Sequence, residues 1–289
     1  MSELVASAPE LLDSGLRRRR RVPVGIVVAF VVMALVVACA VLGEAIAPQD
    51  PDAQDLGTGV SGMSSAHPLG TDELGRDVLS RLIAGAQSAL LGPLVIAVGA
   101  MVIGSLCGVV AGYRGGLVDS VIMRVCDLMY ALPALLVAIV VVGVRGGGYW
   151  TAVIVLLVLS APYDTRLIRG ATLDQRSRPY VESARALGLP ARTIMFRHIW
   201  PNLLALIVAN SFLTFALSIV ALSALSFLGL GVEPGLADWG RMISDSRDQL
   251  FTHPIVPIAP CIALVLTAAA MNLIGDWLYE LLQDRGRAR

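Results

Sequence analysis

Tyr180-Val-Glu-Ser-Ala-Arg-Ala-Leu-Gly-Leu-Pro-Ala-Arg-Thr-Ile-Met-Phe-Arg-His-Ile-Trp-Pro-Asn202 is a polar, arginine-rich insert lodged between two long apolar stretches. The chain around it is made for hydrocarbon. Hydrophobic residues make up 56% and charged residues 15%, and the mean hydropathy is +0.75, outside the range of soluble globular domains. A polar break over 169–202 in such a chain has a use only if something beyond the bilayer holds it. Locally the insert reads as two short helices. Ser177 and Pro179 start the first, proline sitting where its missing N–H costs nothing. Tyr180, Ala184 and Leu187 fall on one apolar stripe, with Glu182 and Arg185 opposite and able to pair weakly. Gly188 ends this helix, Pro190 opens the second, which runs to Trp200, and Pro201 breaks the chain before the next apolar run. A helix lying on lipid with no partner is the plainer alternative.

Outward from the insert, apolar residues gather in six blocks near Val22–Ala47, Ala86–Gly112, Val125–Val144, Tyr149–Ile168, Leu203–Leu230 and Ile255–Leu278. Each approaches the roughly 20 residues that a helix needs to cross a bilayer core. The expected fold is therefore an all-α polytopic membrane bundle of six transmembrane helices. Arg145-Gly-Gly-Gly148 makes a tight hairpin between the third and fourth. Every basic side chain is Arg. With the N-terminus inside, 17 of the 22 arginines lie on cytoplasmic segments and five (Arg76, Arg81, Arg145, Arg241, Arg247) outside. The positive-inside bias then places both termini in the cytoplasm. Arg17–Arg21, directly before the first span, reads as an anionic-lipid anchor and not as a nucleic-acid patch.

Val36-Val-Ala-Cys39 has the look of a lipoprotein box and Ala38-Cys-Ala40 of a signal-peptidase site. The apolar run continues past both, so it is read as a permanent helix. The four cysteines (Cys39, Cys107, Cys126, Cys261) have no paired spacing and read as buried small hydrophobes. Without Lys there is no phosphate-loop lysine and no Schiff base. His67, His198 and His253 lie on separate loops, with no metal-ligand spacing. Asp164 near Arg166, and Asp127 near Arg124, read as charges at helix ends, so that no span carries an ionisable residue at its centre. The chain is not expected to be an enzyme, and energy for any transport must come from another protein.

The run Glu182-Ser-Ala184, three residues, Gly188, nine residues, then His198-Ile-Trp-Pro-Asn202 resembles the E-A-A-x(3)-G loop of binding-protein-dependent ABC importer permeases. Ser183 stands at the middle Ala and Trp200 at a usual Leu. His67-Pro-Leu-Gly-Thr-Asp-Glu-Leu-Gly-Arg-Asp-Val-Leu-Ser-Arg81 and Gly85-Ala-Gln-Ser-Ala-Leu90 are similar to the "C"-type dipeptide, oligopeptide and nickel permeases, with Gln87 where Arg is common. Tyr113-Arg-Gly-Gly116 with Asp119, Met123-Arg124, Asp127 and Pro133 fits the same group. So do Ser226-Phe-Leu-Gly-Leu-Gly-Val232, Trp239-Gly240 and Asn272-Leu-Ile-Gly-Asp276. Glu233-Pro-Gly235 departs from a Pro-Pro pair common there. The resemblance spans residues 22 to about 286.

That resemblance implies a type I ABC importer transmembrane domain. Glu182, Ser183, Ala184, Arg185, Ala186, Leu187 and Gly188 would form the coupling helix, seated on a cytoplasmic ATPase subunit. It implies a homologous second permease, two nucleotide-binding ATPase subunits, an extracytoplasmic binding protein, and no cofactor in this chain, since ATP and Mg would bind the ATPases. The setting would be the bacterial inner membrane. Cargo would be a di- or oligopeptide, with nickel, glutathione-like or haem-like cargo as alternatives within the class. The organisation expected is a cytoplasmic tail 1–21, a first span 22–47, an external loop 48–85, a core 86–280 with its coupling loop 169–202, and a tail 281–289. In the external loop Thr71 caps an amphipathic helix with Asp72 and Glu73 in its first turn and Leu74, Val78, Leu79, Leu82 and Ile83 on one side. Asn210, Ser211, Thr214, Ser218 and Ser223 form a polar series that either bonds between helices or lines a hydrated path. Asn272 and Asp276, one turn apart, are candidates for an inner gate. A self-contained secondary carrier would need midplane charges and broken helices. A membrane enzyme or scaffold would need a convergent polar cluster. Neither pattern is seen.

Overall fold

The computed structural model describes residues 23–57 and 59–287. Arg17–Arg21, with the rest of the tail assigned to 1–21, and residues 288–289 lie outside the described residues. The helices are α1 (Val24–Leu42), α2 (Val78–Arg114), α3 (Gly116–Tyr130), α4 (Ala134–Val144), α5 (Tyr149–Arg176), α6 (Pro179–Ala186), α7 (Ala191–Thr193), α8 (Trp200–Phe227), α9 (Trp239–Asp245) and α10 (Ile255–Arg287). Among the described residues the only β-type pairing is a single bridge between Thr71 and Asp77. Five helical rods are long and apolar enough to cross a membrane, and six if α3 and α4 count as one. The all-α, six-span class stands.

The third span is not the straight helix expected over Val125–Val144. α3 starts earlier, at Gly116, and meets α4 at 78°. Pro133 is the cause: it lacks a donor N–H and drives Leu132 out of the α region, so one helix must end and another begin. The glycines of the next turn, Gly146 to Gly148, all take positive φ and fold α4 tightly back toward α5.

The separate amphipathic helix expected around Thr71 to Ile83 does not form. Asp72 spends its Oδ1 on the amides of Leu74 and Arg76, closing a turn where a helix would otherwise nucleate. Thr71 donates its hydroxyl to Gly59 O at 2.6 Å. The cap is Asp77, which accepts from the Ser80 amide at 2.8 Å. From Val78 the helix runs 37 residues into the second span without a break.

α2 and α5 lie side by side along a ladder of glycines. A Cβ on Gly99 would meet Leu157 at 2.3 Å, on Gly104 Asp164 at 2.3 Å, on Gly108 Ile168 at 2.8 Å and on Gly112 Thr172 at 2.7 Å. The partner number advances in step with the glycine number, so the two rods run parallel and in register. Apolar surface gains little by leaving lipid for protein, so backbone approach of this kind holds membrane helices together. α8 and α10 complete the bundle. α1 stands at its edge, with 11% of its apolar window buried and Phe30 set edge-on to Trp277 at 5.6 Å. Cys126 is buried, whereas the other three cysteines are only half-buried.

Candidate functional site

The insert folds back onto the end of α2, α5 and α8 as an elbow. Arg178 is the residue before the first helical turn, one later than Ser177, and Pro179 takes the first helical position. Val181 and Ala184 are the buried face of α6, joining Val109, Ile168, Ile194, Met195, Ile199 and Leu203 in one apolar cluster. Leu187, expected on that stripe, is 79% exposed instead. α6 stops at Ala186, one residue before it, so the 3.6-residue register no longer applies. The stop is a Schellman turn: the Gly188 amide donates to Arg185 O at 2.9 Å and the Leu189 amide to Ala184 O at 3.2 Å, with Gly188 at φ +73°. Leu189 then packs against the cluster, as this motif commonly requires.

Glu182, Ser183, Arg185, Ala186, Leu187 and Gly188 are thereby displayed together, with Ala184 alone turned inward. Arg185 lies over the Tyr113 ring, 5.1 Å from its centre. Tyr180 donates its hydroxyl to Gln175 Oε1 at 2.8 Å, and burial pushes its phenol above the ordinary value. Pro201 does not break the chain. The segment Ile194–Ile199, which carries His198, is π-helical and leads straight into α8. The wider turn absorbs the proline that an α-helical ladder would not accept.

Midway along the bundle lies the feature that the sequence reading missed. Asp164 is 2% exposed, in the interior of α5, and is no helix-end charge. Asn210 Nδ2 donates to its Oδ1 at 2.7 Å and Thr214 Oγ1 at 3.4 Å. α5 continues to Arg176, so the arginines that made Asp164 look terminal are also inside the helix. Arg166 pairs with Asp127 and stacks on Tyr130, and Arg169 grips Asp119 with two nitrogens. Asn210, Thr214 and Ser218 are all buried. Thr214 and Ser218 also line a cavity of about 420 Å³ with Ser160 and Tyr163. Asn272 and Asp276 are not gathered with them and lie exposed on α10. Asn210 and Thr214, one turn apart, were the signal available: two buried polar groups on one helix face need an acceptor opposite.

At the other end of the bundle, Arg81 is 1% exposed. Its guanidinium donates to Pro51 O, Gly235 O and Leu236 O at 3.1 to 3.2 Å. Arg76 holds Asp72 at 2.7 Å and reaches the same Gly235 O at 3.3 Å. Trp239 donates to Leu82 O at 2.8 Å. Asp238 caps α9 and accepts from Ser88 Oγ at 3.0 Å; burial pushes its carboxyl up. These contacts lock the start of α9 and the segment before it onto the first turns of α2 and the loop that precedes them.

Residues 104–288 match the family described as binding-protein-dependent transport system inner membrane components. The chain is 39% identical over 271 residues to the glutathione transport system permease protein GsiD of Escherichia coli O6:K15:H31, covering 93% of this chain and 89% of that one. Against the protein of the same name from Pectobacterium atrosepticum it is 41% identical over 224 residues, covering 78% and 74%. Among solved structures it is similar to a chain of the inward-facing MetNI methionine ABC transporter, with a TM-score of 0.57 and 17% identity, covering 70% of this chain and 96% of that one. That likeness speaks for the fold alone.

Proposed function

The chain belongs to the family of binding-protein-dependent transport system inner membrane components and is the permease subunit of an ABC importer; from that premise we propose that the α6–α7 elbow is its coupling helix. The observation that carries this reading is the display of Glu182, Ser183, Arg185, Ala186, Leu187 and Gly188 on a rigidly capped, well-anchored turn. A surface this polar, with one exposed leucine at its tip, suits a groove on a cytoplasmic ATPase subunit. The arginine bias of the surrounding segments supports a cytoplasmic elbow and cytoplasmic termini in the bacterial inner membrane. Two ATPase subunits would carry ATP and Mg. A homologous second permease would supply the other half of the path, and an extracytoplasmic binding protein would deliver cargo to the Arg81 end.

For cargo, a short peptide is the reading that fits both the "C"-type motifs and the relatives named for glutathione, itself a tripeptide. The path assignment rests on Thr214 and Ser218 beside their cavity. Asn210 is turned to Asp164, and the gate role of Asn272 and Asp276 has only their exposure to support it. The test is uptake by the complete complex in proteoliposomes. Glu182→Arg and Gly188→Pro should abolish uptake, or separate it from ATP hydrolysis, while membrane insertion is kept. Normal uptake by both variants would remove the coupling assignment.

A further inference from the structure

The elbow hangs from two rods: α5 runs into it and α8 runs out of it. A push on α6 can therefore do one of two things. It can swing both rods together, or it can bend one against the other. The natural place to bend is Ile194–Ile199, where the π-helical turn meets a proline and the regular backbone ladder is interrupted. Apolar side chains between the rods resist separation but set register only weakly. A directional hydrogen bond sets it well.

One such tie exists, about 18 Å along α5 from its elbow end at 1.5 Å per residue. Gly104 lets α2 press against the Asp164 backbone and Cβ from one side. From the other, Asn210 and Thr214 of α8 both donate to its Oδ1. A single side chain thus joins three spans. Its second oxygen, Oδ2, is buried with no hydrogen-bond partner. An unpartnered buried carboxyl oxygen costs free energy, and an apolar residue of similar volume often serves static stability as well or better. A group kept at such a cost between three rods calls for a mechanical explanation.

We propose that Asp164 is a positioning residue of the transport cycle: its bond to Asn210 locks α5 to α8 at mid-bundle, so that displacement of the elbow turns both as one lever instead of bending the chain at the π-helical stretch that leads into α8. This rests on the coupling role of the elbow. The test uses the complete complex with its ATPases and binding protein in proteoliposomes, reading cargo imported per ATP hydrolysed together with the melting temperature. Asp164→Leu and Asn210→Leu should each lower import per ATP by about tenfold while hydrolysis stays within about twofold, and Asp164→Leu should not lower the melting temperature. The double variant should be no worse than either single one, since both remove the same tie. Asp164→Asn, which keeps an acceptor for Asn210, should recover most of the coupling. An unchanged ratio in Asp164→Leu and Asn210→Leu overturns the proposal, whether or not hydrolysis and melting temperature fall with it. Where Asp164→Leu does not assemble, Asn210→Leu and Asn210→Ala read the same tie. Glu182→Arg separates the two layers. If it uncouples and the Asp164 and Asn210 variants do not, only the lever fails; if it too leaves the ratio intact, the elbow assignment fails.

Discussion

Replacing Gly188 isolates a backbone effect with unusual cleanness. Its φ is +73°, and a Cβ built there meets nothing within 4 Å. The penalty for any side chain is therefore torsional, not steric. For Ala it is about 1 kcal/mol, which lowers the closed-to-open ratio of the turn about fivefold. Asn, which visits the left-handed region more readily than other residues, costs less. Val, branched at Cβ, costs more. The Leu189 amide is the reporter, because it donates to Ala184 O only when the turn is closed. Its hydrogen-exchange protection should fall about fivefold in Gly188→Ala, less in Gly188→Asn and more in Gly188→Val, with amides of α2 unchanged. Uptake should follow the same order. Protection that is equal across the series, or that tracks side-chain volume with Asn worse than Ala, would refute the reasoning.

Arg81→Met strands Pro51 O and Leu236 O, leaves Gly235 O to Arg76 alone, and should cost about 3–5 kcal/mol, read as a lowered melting temperature of the solubilised protein. Arg81→Lys should not restore it, because an ammonium cannot reach three diverging carbonyls as a fork does. Gly108→Leu forces a side chain into Ile168 and the Thr165 carbonyl, and should destabilise the α2–α5 pair by about 1–3 kcal/mol, read by thermal unfolding in detergent. Burial raises the Asp238 carboxyl above the usual range, against the pull of the Arg241 amide and the Ser88 hydroxyl. The folded state thus favours its neutral form. That contribution is complete below the unfolded value of about 3.9 and is lost as pH rises through the raised one. Asp238→Asn should flatten the fall of the melting temperature that sets in as pH rises above about 4.

The spans were legible because hydrocarbon demands long apolar runs: α1 and α8 follow their blocks closely, and α5 and α10 begin where theirs begin. The elbow was legible because Pro179, Gly188 and Pro190 punctuate it by rules local to the chain. What escaped were properties decided by neighbours. Asp127 was read against Arg124, its neighbour in sequence, whereas its partner is Arg166 on another helix. Asp164 looked like the edge of a span because arginines follow it. Those arginines are neutralised by α3, so the helix continues through them to Arg176, about two turns past the apolar block. The early start of α2 was hidden by a local choice: Asp72 and Asp77 are both good first-turn residues, and the turn that Asp72 closes on Leu74 and Arg76 decides between them. Leu187 was lost to a shorter difference, a helix that ends one residue before the stripe does.

The Arg81 contact fixes an order of events during synthesis. Two of its three carbonyl partners lie more than 150 positions later in the chain. A ribosome has delivered α2 through α8 before Gly235 and Leu236 exist to receive the guanidinium. Until then Arg81 has only Pro51 and nearby carboxylates. The end of the bundle farthest from the elbow is thus sealed only after α8 is made, and a chain released before Gly235 leaves guanidinium N–H groups without the carbonyls that a longer one gives them.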